Sequence, residues 1–236
     1  MTRWRYSSIP VVLLAIFLTG CGDNAPATSH DRLLMLTDFF PDSGATRVEV
    51  DIASDSQAAM APTASSPGTG VVAATATLRS QYRTITMAGT YDLGTNNFHI
   101  AYRHGFDSLT VDGGQNITGF GSPVAGGYVY SGPPLNRGDL WGVRDTTGRA
   151  AFYCITSHFD QQKYADRHFG FIATDSLLIG VGGGLEVPFK GLVKRDSLHF
   201  DDAATSYSGT LAPDRNTASG TFDIGGILGT WSAYRC

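Results

Sequence analysis

Few residues in this chain stand where chemistry would need them. A nucleophilic hydrolase wants its serine in a Gly-x-Ser-x-Gly elbow between a strand and a helix. Neither Tyr207-Ser208-Gly209 nor Phe120-Gly121-Ser122 fits that pattern, and Ser122, standing before Pro123, reads as a turn residue. Gly180-Val181-Gly182-Gly183-Gly184 lacks the lysine of a phosphate loop and the helix that would follow it, so it reads as a hairpin turn. His99 and His104, His158 and Asp160, and Asp166 and His168 are zinc-ligand types at short spacing, but no His-Glu-x-x-His helix gathers them. Asp214-Arg215-Asn216 begins like a calcium loop without its later glycine and closing glutamate. Asp201 and Asp202 are adjacent at a strand end and would point to opposite faces, so they cannot flank one glycosidic bond. The reading is no catalytic residue, no metal and no cofactor.

Aromatic side chains offer the remaining contact chemistry. Tyr128, Tyr130 and Trp141 stand near Gly126-Gly127 and Gly132-Pro133-Pro134. If loops expose them, their rings could stack on a glycan or a peptide. The competing reading places all three in a core.

The elements that would position such residues are strands. Val48, Val50 and Ile52 alternate with Arg47, Glu49 and Asp51, the period of a half-buried strand. Phe98, Ile100 and Tyr102 repeat the pattern, as do Leu109 with Val111, Leu198 with Phe200, and Phe222 with Ile224. Turn signals separate them at Asp112-Gly113-Gly114, Thr147-Gly148, Pro213-Asp214-Arg215-Asn216 and Gly225-Gly226. Leu33-Leu34-Met35-Leu36 fits a short helix or an opening strand, and Ser157 to His168 a polar helix or a loop. A Gly-Thr-apolar phrase recurs at Gly89, Gly209, Gly220 and Gly229. Glycine at 29 of 236 residues and a charged fraction of only 16% fit short strands with tight turns. The expected fold is all-β, an antiparallel meander closing into a barrel or a sandwich, with at most one or two short helices.

The amino-terminal segment speaks of location. Arg3 and Arg5 precede a largely apolar stretch from Ile9 to Leu18, too short to span a membrane and of the length of a signal-peptide core. Leu18-Thr19-Gly20-Cys21 then closes it. That tetrapeptide resembles the lipobox of bacterial lipoproteins, and the resemblance implies cleavage before Cys21 and acyl chains on its thiol. Gly22 stands where an aspartate would imply inner-membrane retention, so the resemblance favours the outer membrane. The expected order is a signal peptide over 1–20, a lipidated cysteine and flexible tether over 21–31, and a single all-β domain over 32–236 with a mobile loop near 55–70.

With Cys21 acylated, Cys154 and Cys236 remain for one disulfide in an oxidising compartment. Without Arg3 and Arg5 the chain keeps 15 basic against 21 acidic residues and shows no basic stripe, which excludes a nucleic-acid partner. Gly229-Thr230-Trp231 is similar to the Gly-x-Trp of calycin barrels. There the tripeptide opens the barrel and here it closes the chain, so no binding residue is carried over. Function is expected to be an envelope-anchored, non-enzymatic binding or structural module meeting the membrane through Cys21 and touching a protein or a glycan. The alternatives are a carrier of small apolar ligands and an envelope hydrolase.

Overall fold

The computed structural model describes residues 31–38, 45–53, 70–80, 83–115, 124–132, 135–161, 163–182, 185–202 and 205–236. The leader, Cys21, the tether up to His30, the loop near 55–70 except Gly70, and Ser122 therefore lie outside the described residues. Two sets of eight antiparallel strands each close on themselves. The first comprises β1 (Arg32–Asp38), β2 (Ala45–Ile52), β3 (Val71–Arg79), β4 (Thr84–Asp92), β5 (Asn97–His104), β6 (Asp107–Gln115), β7 (Val124–Tyr130) and β8 (Asn136–Asp145). The second comprises β9 (Ala151–Phe159), β10 (Arg167–Ala173), β11 (Leu177–Gly182), β12 (Leu185–Lys194), β13 (Ser197–Asp202), β14 (Thr205–Leu211), β15 (Thr217–Ile224) and β16 (Ile227–Arg235). Each strand pairs with its chain neighbours, and the first pairs with the last, β1 with β8 and β9 with β16. The expected all-β meander is present as two up-and-down barrels.

The described residues contain no helix. Leu33 to Leu36 belong to β1, and the segment from Ser157 to His168 contributes the end of β9, a short connection and the start of β10. Two glycine signals also read differently in three dimensions. Gly113 and Gly114 lie inside β6, and Gly126 and Gly127 inside β7, instead of in turns or loops. Gly225 and Gly226 do form a two-residue hairpin turn between Ile224 and Ile227, both with positive φ (56° and 93°).

Strand glycines serve space inside the barrels. An eight-stranded barrel is just wide enough for side chains to fill, so a ring on one strand needs a small neighbour. Phe98 is the direct cross-strand partner of Gly113, Tyr128 of Gly138, Phe189 of Gly180 and Phe222 of Gly229. A Cβ placed on Gly113 would lie 2.5 Å from the Phe98 ring, and one on Gly229 would lie 2.3 Å from Phe222. The Gly-Thr-apolar phrase has the same basis: Tyr91, Leu211, Phe222 and Trp231 are buried, while Thr210, Thr221 and Thr230 are exposed.

The second barrel is packed with rings. Phe200 stacks on Tyr207 with centroids 4.5 Å apart and on Phe189 at 5.2 Å, and it meets Trp231 edge to face at 5.8 Å. Trp231 donates its indole N–H to the carbonyls of Ser208 and Thr221, each at 3.2 Å, so its one polar atom is satisfied.

Between the barrels lies a third apolar layer. Leu34, Leu36, Trp141 and Val143 from the outer faces of β1 and β8 meet Ile172, Ile179 and Val181 of β10 and β11. These four strands bury both faces, which explains their unbroken apolar runs where β2 and β5 alternate.

Candidate functional site

Tyr128 and Tyr130 sit on β7 inside the first barrel, 3% and 7% exposed, within its core. Trp141 is 8% exposed in the layer between the barrels. The rings proposed for ligand contact are thus buried, two in the first barrel's core and one between the barrels. Glycines beside them pointed to loops, whereas those glycines make room for the rings: a Cβ on Gly138 would lie 2.7 Å from Tyr128.

The outside of each barrel carries the polar chemistry. On the second, a cross-strand row runs from His199 through Ser208, Thr221 and Thr230 to His158. Ser208 Oγ lies 3.3 Å from His199 Nδ1, and His199 Nε2 lies 3.8 Å from Asp201 Oδ2. Serine, histidine and aspartate therefore do converge. The His199 and Asp201 side chains are 56% and 65% exposed, however, so water screens the pair and nothing dehydrates the nucleophile. The Ser208 backbone runs within β14, paired on both sides, and builds no oxyanion pocket of free amides.

Other histidines behave alike. His158 Nδ1 lies 2.9 Å from Asp166, His168 Nδ1 lies 3.1 Å from the Thr156 hydroxyl, and His99 bonds Asp112 across the exposed face of β5 and β6. His104 stacks near Tyr102 and does not join His99. Among the described residues, no three His, Cys, Asp or Glu side chains gather as metal ligands. Asp214 caps its own turn, accepting the Asn216 N–H at 3.0 Å.

Two shallow grooves follow these rows. One, of about 590 Å³, is lined by Thr90, Asp92, Asn97, His99 and Asp112 on the first barrel. The other, of about 500 Å³, is lined by Asp160, Ser208, Thr221, Asp223, Leu228 and Thr230 on the second. The first mixes these polar groups with Val71 and the core ring Phe98, and the second sets its hydroxyls and carboxylates beside Leu228 and Phe222.

Buried charge is concentrated where the barrels join. Asp145, 2% exposed, accepts two bonds from the Arg32 guanidinium and the N–H groups of Thr147, Arg149 and Ala150 in the connection to β9. Burial works to raise its pKa, but the bonds from Arg32 and Thr147 prevail and hold the carboxyl below the ordinary range. Arg149 then reaches Asp175 in the β10–β11 turn at 2.9 Å, and Arg215 reaches the same carboxylate at 2.8 Å. On the far side of the interface, Arg47 of β2 donates to the backbone carbonyl of Cys236. Cys236 itself is disulfide-bonded to Cys154, with Cα atoms 5.8 Å apart. Sequence reading missed Arg32 and Asp145 because nothing in their surroundings separates a buried pair from two ordinary strand-end charges.

Compared with protein-family models, with curated proteins and with solved structures, the chain gives no match.

Proposed function

We propose that this chain is an exported lipoprotein, cut before Cys21 and held by acyl chains at the cell envelope, with the outer membrane favoured over the inner. Its two barrels then serve as a non-enzymatic binding or structural module. The observation that carries the reading is the filling of the barrels by their own side chains. Strands whose described inward side chains pack on one another leave their outward faces for contact, and a tether of low apolar content keeps those faces near a membrane. The motif Leu18-Thr19-Gly20-Cys21 supplies the anchor, and two or three acyl chains hold durably at ~0.8 kcal/mol per buried CH₂.

Metabolic labelling with palmitate tests the anchor. The native chain is expected to take up label and fractionate with membranes, and the Cys21→Ser chain to do neither. Label and membrane retention in Cys21→Ser would overturn it.

A carrier of small apolar ligands needs a hollow of several hundred Å³ inside a barrel, which the ring-packed second barrel argues against. The hydrolase reading draws on one observation, the approach of Ser208 to His199 and Asp201. Fluorophosphonate probes decide it, since an activated serine would label and Ser208→Ala would abolish the labelling. No labelling is expected.

A further inference from the structure

One end of the first barrel departs from the polar surface around it. Phe106, at the tip of the β5–β6 hairpin, is 100% exposed, held out by Gly105 at φ 61°. Leu135, just before β8, is 73% exposed, and Val129 on the neighbouring β7 is 50% exposed. The two loops are tied together: Ser108 Oγ and Ser131 Oγ lie 2.6 Å apart, and the Ser131 N–H donates to the Ser108 carbonyl at 2.9 Å. The apolar tips are thus one feature on a fixed base.

Cations surround this end. Arg103 pairs across the hairpin with Ser108, Arg137 pairs with Val129, and Arg79 and Arg83 flank the β3–β4 turn. The described acids at this end are Asp38 at the close of β1, Asp107 in the hairpin and Asp139 farther along β8. An exposed phenyl ring with Arg103 and Arg137 on the strand ends behind it is the pattern of a surface that dips its tip below lipid headgroups while its arginines meet their phosphates.

We propose that this end of the first barrel, led by Phe106 and Leu135, is a contact surface for an anionic lipid bilayer. The choice of partner rests on the lipoprotein reading above. Fully extended, Gly22 to His30 reaches about 30 Å, more than the ~23 Å length of β1 with its 7 residues. A bilayer holding Cys21 is therefore within reach of the Phe106 end as well as the end where β1 begins. The same patch on a protein partner would not require Arg103 and Arg137, and its contact would be indifferent to lipid charge.

The test uses the mature protein purified from cells, its mass read first for acylation. Phe106→Trp, and separately Leu192→Trp on the outer face of the second barrel, are placed in vesicles of phosphatidylcholine and phosphatidylglycerol bearing brominated acyl chains. If the purified protein is unacylated, it is added to the same vesicles from outside. The indole introduced by Phe106→Trp is expected to shift to the blue and be quenched, while that of Leu192→Trp stays at its aqueous emission. Combining Arg103→Glu and Arg137→Glu should abolish the quenching. In the unacylated protein, Phe106→Ser should weaken vesicle binding on the order of tenfold, the worth of one buried ring. Acylated Phe106→Trp protein whose new indole stays unquenched overturns the contact surface and leaves the anchor standing. Unacylated Phe106→Trp protein whose indole is quenched removes the anchor and keeps the surface. Quenching that is equal in phosphatidylcholine alone also overturns the proposal.

Discussion

Arg32 opens β1 and Asp145 ends β8, and across the closing seam of the first barrel their side chains meet at 3.0 Å. The second barrel closes its own seam covalently, since Cys154 lies on β9 and Cys236 follows β16. Each seam joins strands far apart in the chain, so its contacts must offset the largest loop-closure entropy in its barrel. An ion pair does so in one case and a disulfide in the other. Arg32 also donates to the Ala150 carbonyl at 3.1 Å, so the first seam is tied to the joint between the barrels.

Replacing Asp145 by Asn should therefore cost more than an ordinary surface change. It leaves the Arg32 guanidinium, 20% exposed, without its main partner and weakens three backbone caps. The expected loss is about 2–4 kcal/mol in urea denaturation at pH 7. A loss within ~0.5 kcal/mol would show that the pair contributes nothing net.

Acid should reveal the same group. Asp145 titrates below its unfolded value, so between the two pKa values the unfolded chain binds more protons and stability rises with pH. Its contribution is full above the ordinary carboxylate pKa, about 3.9, and disappears as pH falls through the lower folded value. Asp145→Asn should flatten that part of the stability-pH curve, and a curve parallel to the parent's would refute the assignment.

The disulfide closes a loop with a sequence separation of 82. Chain entropy sets its contribution at about 4–5 kcal/mol as an upper figure. Cys154→Ser with Cys236→Ser should lower stability by a substantial part of that. Alkylation without reductant should leave both native thiols unmodified, and modification of both would exclude the bond.

Glycine beneath a ring makes a sharper test of packing. Gly229→Val places carbon where the Phe222 ring lies, and about 1–3 kcal/mol or more of destabilisation is expected. Thr230→Val, one residue away on the exposed face, should change stability by no more than ~0.5 kcal/mol. Equal effects at the two positions would mean that the face assignment of β16 is reversed.

Trp141 ties the barrels together without belonging to either core. Trp141→Ala is expected to remove about 3–5 kcal/mol and to split one calorimetric transition into two. A single unchanged transition would show that the barrels do not depend on this layer.

Much of the fold was legible in the residues. Arg47 to Ile52 and Phe98 to Arg103 announce half-buried strands because each inward position is a large apolar or aromatic residue and the outward ones, Ala101 apart, are charged or polar. Cys154 and Cys236 could be matched by elimination. The candidate contact rings were misplaced for a definite reason: glycine beside tyrosine marks a loop when backbone freedom is needed, and a strand interior when a ring must lie over it. Tyr128 opposite Gly138 is the second case, and which one holds depends on a strand that pairs only in three dimensions. The His199, Ser208 and Asp201 approach was likewise invisible, because residues on β13 and β14 become neighbours through register alone.

By itself the sequence determined that the described chain is built of short antiparallel strands and which side of most strands faces inward, since burial of alternate residues is a local property of an extended backbone. Only tertiary structure decided that the strands close twice, β8 onto β1 and β16 onto β9. Closure is chosen by packing across the whole barrel and by the apolar layer between the two. The runs in β1, β8, β10 and β11 recorded that layer as strands apolar on both faces, but a run of leucines does not name what will cover its second face.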